Sequence, residues 1–175
     1  MSKSLIINEE EFASINHLEN DYNSNTNPKV KQQIELASDI DLYDRLGSFY
    51  FTVLENLDHQ DYQDLLHGSF FECNGVKMRH DGLKKIVSDF ALSRFLRVIN
   101  TNLNPFGANT KLSDNSQPVS QKELEKQSEQ VKVDANIRFK MVDLYLKSKT
   151  DIFSNYQTGN NKEINTHQSL FYNIF

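Results

Sequence analysis

Five histidines, one cysteine and several clustered acids are the side chains of this 175-residue chain that could move protons, attack a carbonyl or hold a metal. His59 stands among Asp58 and Asp61, with His67 further on, a grouping in which a carboxylate could orient an imidazole acting as general base. These residues belong to DHQDYQDLLHG, Asp58 to Gly68, an acid-rich turn for which solvated surface is the default reading. His80 beside Asp81 could serve a helix start or a ligand, whereas His17 and His167 have no spacing suited to a metal. Cys73 is the single cysteine, so it can close no internal disulfide, and its aromatic neighbours suggest a small buried apolar role. No Gly-rich phosphate loop or nucleophile elbow occurs, and neither cofactor nor metal is expected.

Lys77, Arg79, Lys84, Lys85, Arg94 and Arg97 concentrate positive charge, offset locally only by Asp81 and Asp89. They are the candidate phosphate contacts, RNA included, although a net charge of -5 argues against polyanion binding by the whole chain. Phe49, Tyr50, Phe51, Phe70, Phe71, Phe90 and Phe95 could line a small-molecule cavity, with core packing as the plainer reading.

The elements that must position these groups are organised around FFECNGVKMRH, Phe70 to His80. Two strand-forming runs meet at Asn74-Gly75, the pair favoured where both central turn residues need positive φ, so the spacing predicts a type I′ hairpin. Before it, Ile40, Tyr43, Leu46, Tyr50, Val53, Leu54 and Leu57 recur at three- and four-residue steps and predict a long amphipathic helix. After it, Leu83, Ile86, Val87, Phe90 and Ala91 predict a short helix, and the β-branched run Phe95 to Leu103 predicts a strand. Val131 to Met141 alternates with a period of two, apolar at odd positions and polar at Lys132, Asp134, Asn136, Arg138 and Lys140, which predicts a half-buried strand. Thr166 to Phe175 reads as a last strand.

Residues 1–28 are rich in Asn, Glu and Ser and read as a flexible acidic tail with at most one docking helix. Residues 29–175 then form a single α+β domain, with a long loop insertion at 107–130 marked by Gly, Asn, Ser and Pro118. A composition of 38% hydrophobic residues suffices for one core. The N-terminus has too short an apolar run for a signal or transit peptide, and no stretch approaches the ~20 apolar residues of a spanning helix. A nuclear and cytoplasmic protein is the expectation.

The order of a long helix, a short helix, an NG hairpin, a helix and three strands resembles the nuclear transport factor 2 family. DLYDRLGSFYFTVL, FFECNGVKMRHDGLKKIVSDF, NTNLNPF, VDANIRFK and INTHQSLFYNIF carry the resemblance. Within that family, VDANIRFK and the long loop are most similar to the small subunit of the heterodimeric mRNA-export receptor. The resemblance implies a cone-like fold, a curved and mostly antiparallel sheet wrapped on a long N-terminal helix. It also implies a non-enzymatic subunit of a heterodimer in nuclear transport or mRNA export, paired sheet to sheet with a homologous domain, with nucleoporin or RNA contacts. Asp134, Asn136, Arg138 and Lys140 would form the partner-binding face. The same fold also hosts isomerases and dehydratases, which gives a small-molecule-binding enzyme as one alternative; an adaptor binding through its tail and loop is another.

Overall fold

The computed structural model of the chain describes residues 5–18, 28–99, 101–104, 107–110 and 120–156. The order is α1 (Glu9–Ile15), α2 (Pro28–Leu36), a π-helical segment (Ala37–Leu42), α3 (Tyr43–Leu46), α4 (Phe49–Glu55) and α5 (Gln60–His67). Two strands follow, β1 (Ser69–Cys73) and β2 (Val76–His80), then α6 (Gly82–Val98), β3 (Thr101–Asn104), β4 (Gly107–Thr110) and α7 (Gln121–Ser148).

This is a helical fold and not a curved sheet wrapped on a long N-terminal helix. Its described strands form two separate two-stranded antiparallel ribbons, β1–β2 and β3–β4. The expected cone-like fold is overturned at three points. The first is the long helix over 40–57. Gly47, at φ +57°, separates α3 from α4, and Ile40 and Tyr43, assigned to the core stripe, are 50% and 36% exposed. The second is the strand over 95–103. α6 continues through Val98 and buries Phe95, because no Gly or Pro interrupts the helical spacing of Leu83, Val87, Phe90, Ala91 and Phe95.

The third is the strand over 131–141, which lies in the middle of the 28-residue α7. α7 buries Leu124, Ser128, Ala135, Val142, Tyr145 and Leu146, a helical stripe that a period-two reading of eleven residues cannot see. Val133 and Ile137, which the strand reading turned inward, are 50% and 55% exposed. The start of α7 is fixed by a capping box: Ser120 Oγ accepts from the Glu123 amide at 3.3 Å, and Glu123 Oε2 accepts from the Ser120 amide at 3.3 Å. The start therefore lies inside the segment read as a loop insertion. The strand expected at Thr166 to Phe175 lies outside the described residues, as do residues 111–119 of that insertion.

The hairpin turn is where the residues put it. Asn74 (φ +51°) and Gly75 (φ +76°) join Cys73 to Val76, with Ser69 opposite His80 at the base. Residues paired across an antiparallel ladder share a face. Ser69, His80, Phe71 and Met78 thus look toward the core, and Phe70, Arg79, Glu72 and Lys77 look away. The hairpin packs on α7 and not on α3 or α4, with the Phe71 and Tyr145 rings 5.5 Å apart.

α6 is the hub. Among its residues only Arg97 is exposed. Small residues let α7 approach it: Ser93 Oγ donates to the Ser128 carbonyl at 2.9 Å, and Ser128 Oγ donates to the Ser93 carbonyl at 2.8 Å. Residues 5–18, which the sequence assigns to the tail, carry α1 and seal another side of α6. Phe12 meets Phe95 edge-on at 6.4 Å, and Asn16 Nδ2 donates to Ser88 Oγ at 2.7 Å.

Candidate functional surfaces

Helix geometry disperses the residues assigned to a partner-binding face. At 100° per residue, Asp134 and Arg138 share one side of α7, and Asn136 and Lys140 share another. Arg138 turns to the protein, donating through Nη1 to Asp89 Oδ2 at 2.8 Å and through Nε to Asp81 Oδ2 at 3.1 Å. Asn136 Nδ2 donates to the Lys132 carbonyl at 2.9 Å, and its Oδ1 accepts from Arg45. Asp134 accepts from Gln130 Nε2 at 3.0 Å, and Lys140 is exposed. The four make no common face.

The candidate phosphate contacts are mostly neutralised within the fold. Lys84 meets Glu11 at 2.6 Å, Lys85 meets Asp89 at 2.9 Å, Arg94 meets Asp41 at 2.5 Å, and Arg97 pairs with Glu129. Arg79 lies 3.7 Å from Asp81, and Lys77 sits over the Phe70 ring, 4.9 Å from its centroid. Arg94 and Arg97 do share a crevice of about 240 Å³ with Gln33, Asp41, Ser93 and Lys132, where the π-helical segment, α6 and α7 meet. Lys77 and Arg79 stand apart, on the outer face of the hairpin.

Of the groups considered for proton chemistry, His80 is the one the fold encloses. It is 1% exposed, stacks on Tyr145 at 4.2 Å and pairs through Nε2 with Ser69 Oγ at 3.1 Å. Its Nδ1 is buried without a hydrogen-bond partner among the described residues. Burial holds its pKa below the ordinary histidine value, against the opposing pull of Asp64 and Asp81, and burial raises the Tyr145 phenol. His80 lines none of the three described crevices. His59 instead caps α5, its Nδ1 accepting from the Asp61 amide at 3.3 Å. Cys73 is a half-buried free thiol near the hairpin tip, and His167 lies outside the described residues. Among the described residues no group of three or more His, Cys, Asp or Glu is placed to hold a metal, and no helix is long and apolar enough to cross a membrane.

The conspicuous surface features are apolar. Phe70, on the outer face of β1, is 65% exposed, while its neighbour Phe71 is 5% exposed in the core. Lys77 and Arg79 flank the Phe70 ring, the latter 5.9 Å from its centroid. A second aromatic surface lies across the Gly47 break, where Tyr43, Tyr50 and Phe51 form mutual edge contacts of 5.5–5.9 Å. Tyr50 is anchored by donating to Asp39 Oδ1 at 3.1 Å, and burial, reinforced by the Asp39 charge, raises its pKa. Phe51 is 54% exposed and forms one wall of an open groove of about 840 Å³ shared with Leu54, Glu55, Asn56, Leu57, Asp58 and His59.

Residues 42–166 match a family described as a family of unknown function (DUF6712). The chain belongs to this family. The family match takes in α3 through α7, with the hairpin and the groove, and leaves α1 and α2 outside it. No curated protein and no solved structure matches the chain.

The sequence missed both apolar surfaces. Period-two alternation separates Phe70 from Phe71 without saying which is inside, and Phe51, which stands off the helical stripe, is grouped by residue type with the aromatics read as core packing. One signal was available: between Arg45 and Lys77 there is no Lys or Arg, while Glu55, Asp58, Asp61, Asp64 and Glu72 all fall in that interval.

Proposed function

We propose that this protein is a non-enzymatic protein–protein interaction module whose contacts are made by the outer face of the β1–β2 hairpin and by the aromatic groove at Phe51. The observation that carries the reading is Phe70, an aromatic side chain left 65% exposed on a hairpin whose other face buries Phe71 and His80. Aromatic residues and arginine are enriched at protein interfaces, and Phe70 and Arg79 both stand on this face. The sheet-to-sheet heterodimer and the nuclear-transport setting rest on a curved sheet that the described residues do not form, and the interaction-module reading does not depend on them. Photo-cross-linkers at positions 70 and 51, used in the native cell, should capture a protein at each site and capture nothing comparable from exposed Lys140. Equal or absent capture at all three positions would remove the reading.

Small-molecule binding is the second reading, favoured by the crevice that gathers Arg94, Arg97 and Lys132 beside a π-helical segment, a backbone irregularity frequent at functional sites. Calorimetric titration with inorganic phosphate tests it, and no heat at millimolar phosphate would remove it.

A further inference from the structure

Resting on the interaction-module reading, we infer that the partner is a second copy of this chain, with the outer face of one copy's hairpin seated in the Phe51 groove of the next. The two surfaces are complementary. The hairpin offers one apolar ring, Phe70, with the cationic heads of Lys77 and Arg79 over it; Glu72 is the acid within that strand face, and Arg79, 66% exposed, also lies 3.7 Å from Asp81 at its base. The groove offers an apolar wall of Phe51, Leu54 and Leu57, with exposed Glu55 and Asp58 on its rim and exposed Asp61 just behind. No Lys or Arg lies between Arg45 and Lys77, so the chain segment forming the groove carries no cation to repel the hairpin. Seating Phe70 would cover the most exposed large apolar side chain among the described residues and set two cations against the acids that flank its site.

The two surfaces occupy opposite ends of α5. The groove ends at His59, the N-cap of α5, and β1 begins just beyond Gly68, its C-cap. Eight helical residues separate them by about 12 Å. The hairpin's inner face is committed to Tyr145 of its own copy, so its outer face is turned to other molecules. The surface that inserts differs from the surface that receives, so each copy carries one of each. Copies arranged one way extend the assembly until it closes as a ring or continues as a chain, whereas two copies that exchange hairpins about a two-fold axis close as a dimer.

The test is sedimentation velocity on the full chain over a concentration series reaching millimolar, with two charge-reversed variants. Every altered side chain is exposed, and circular dichroism melts establish that each variant folds. The wild type should self-associate, as a reciprocal dimer or a larger assembly. Lys77→Glu with Arg79→Glu, alone, should assemble at least about tenfold more weakly, and so should Glu55→Lys with Asp58→Lys, alone. An equimolar mixture of the two should regain wild-type assembly, since each reversed hairpin then faces a reversed groove. A wild type that stays monomeric, or variants that assemble alone as the wild type does, overturns self-pairing. If the monomer is found while cross-linkers at positions 70 and 51 capture a different protein, self-pairing fails and the module reading stands. If they capture nothing, both fail.

Discussion

Arg138 of α7 ties down Asp89 of α6: its Nη1 donates to Asp89 Oδ2 at 2.8 Å, and the Asp89 side chain is only 4% exposed. Lys85 holds the other oxygen at 2.9 Å, and Arg138 also reaches Asp81 at the foot of the hairpin. Removing one partner of a buried ion pair strands the other charge, at a cost of about 3–5 kcal/mol when no second partner remains. With Lys85 still present, Arg138→Met should destabilise by about 2–3 kcal/mol in urea unfolding. Adding Asp89→Leu should recover much of that loss, since no buried charge then remains. A loss below about 1 kcal/mol for Arg138→Met would show that the pair behaves as a surface salt bridge.

Gly68 and Gly82 cross backbone to backbone where the hairpin leaves α5 and enters α6. A Cβ on Gly68 (φ +93°) would sit 2.6 Å from the His80 carbonyl oxygen, and one on Gly82 (φ +81°) would strike the Leu66 carbonyl. Each Gly→Ala change should cost more than about 2 kcal/mol, combining left-handed backbone strain with a clash that backbone cannot relieve. Gly75→Ala is the control. Its φ is also positive, but an added Cβ meets nothing within 4 Å, so only about 1 kcal/mol should be lost. Thermal melts of the three variants give the comparison, and equal losses would refute the crossing as the cause.

His80 should make stability depend on pH. Its folded-state pKa lies below the unfolded value, chiefly from burial, so the unfolded chain binds the proton more readily. The contribution is therefore complete above about pH 6.5 and is lost as pH falls from there toward the lower folded pKa, at no more than about 1.4 kcal/mol per pH unit. His80→Phe keeps the ring against Tyr145 and removes the titration. Its unfolding free energy should be flatter than wild type between pH 7 and 5, and parallel curves would assign the dependence to other groups.

Deleting residues 1–18 should unfold or severely weaken the domain. Ile6, Ile7 and Phe12 are each 3% exposed or less, and burying such side chains stabilises by about 2 kcal/mol apiece. A truncated chain with an unchanged melting temperature would make this segment the dispensable tail its composition suggests.

The local signals in the chain were legible where few residues settle the outcome. Asn74-Gly75 specifies its turn because both positions need positive φ, and Leu83, Ile86, Val87, Phe90 and Ala91 are all in the core because the helical period around them is uninterrupted. The architecture was not legible from the same windows. Val131 to Met141 alternates over eleven residues, yet the stripe that decides its structure runs from Leu124 to Leu146 and begins at a Ser120–Glu123 capping box. The hairpin likewise does not state what it packs on: Tyr145, more than sixty residues away, supplies that surface. The candidate interaction surfaces were least legible, since exposure of Phe70 and Phe51 is set by tertiary neighbours and not by residue type.

α6 being covered on nearly every side has a consequence during synthesis. α1, α2, α5 and the hairpin have all left the ribosome, or are leaving it, when α6 emerges, but α7 follows only after residue 120. Until α7 arrives, the flank of α6 around Ser93 faces solvent together with the inner face of the hairpin, Phe71 included. The nascent chain thus carries a defined apolar seam that closes with its last described helix, and that seam is where holdase chaperones should bind and where truncated products should aggregate.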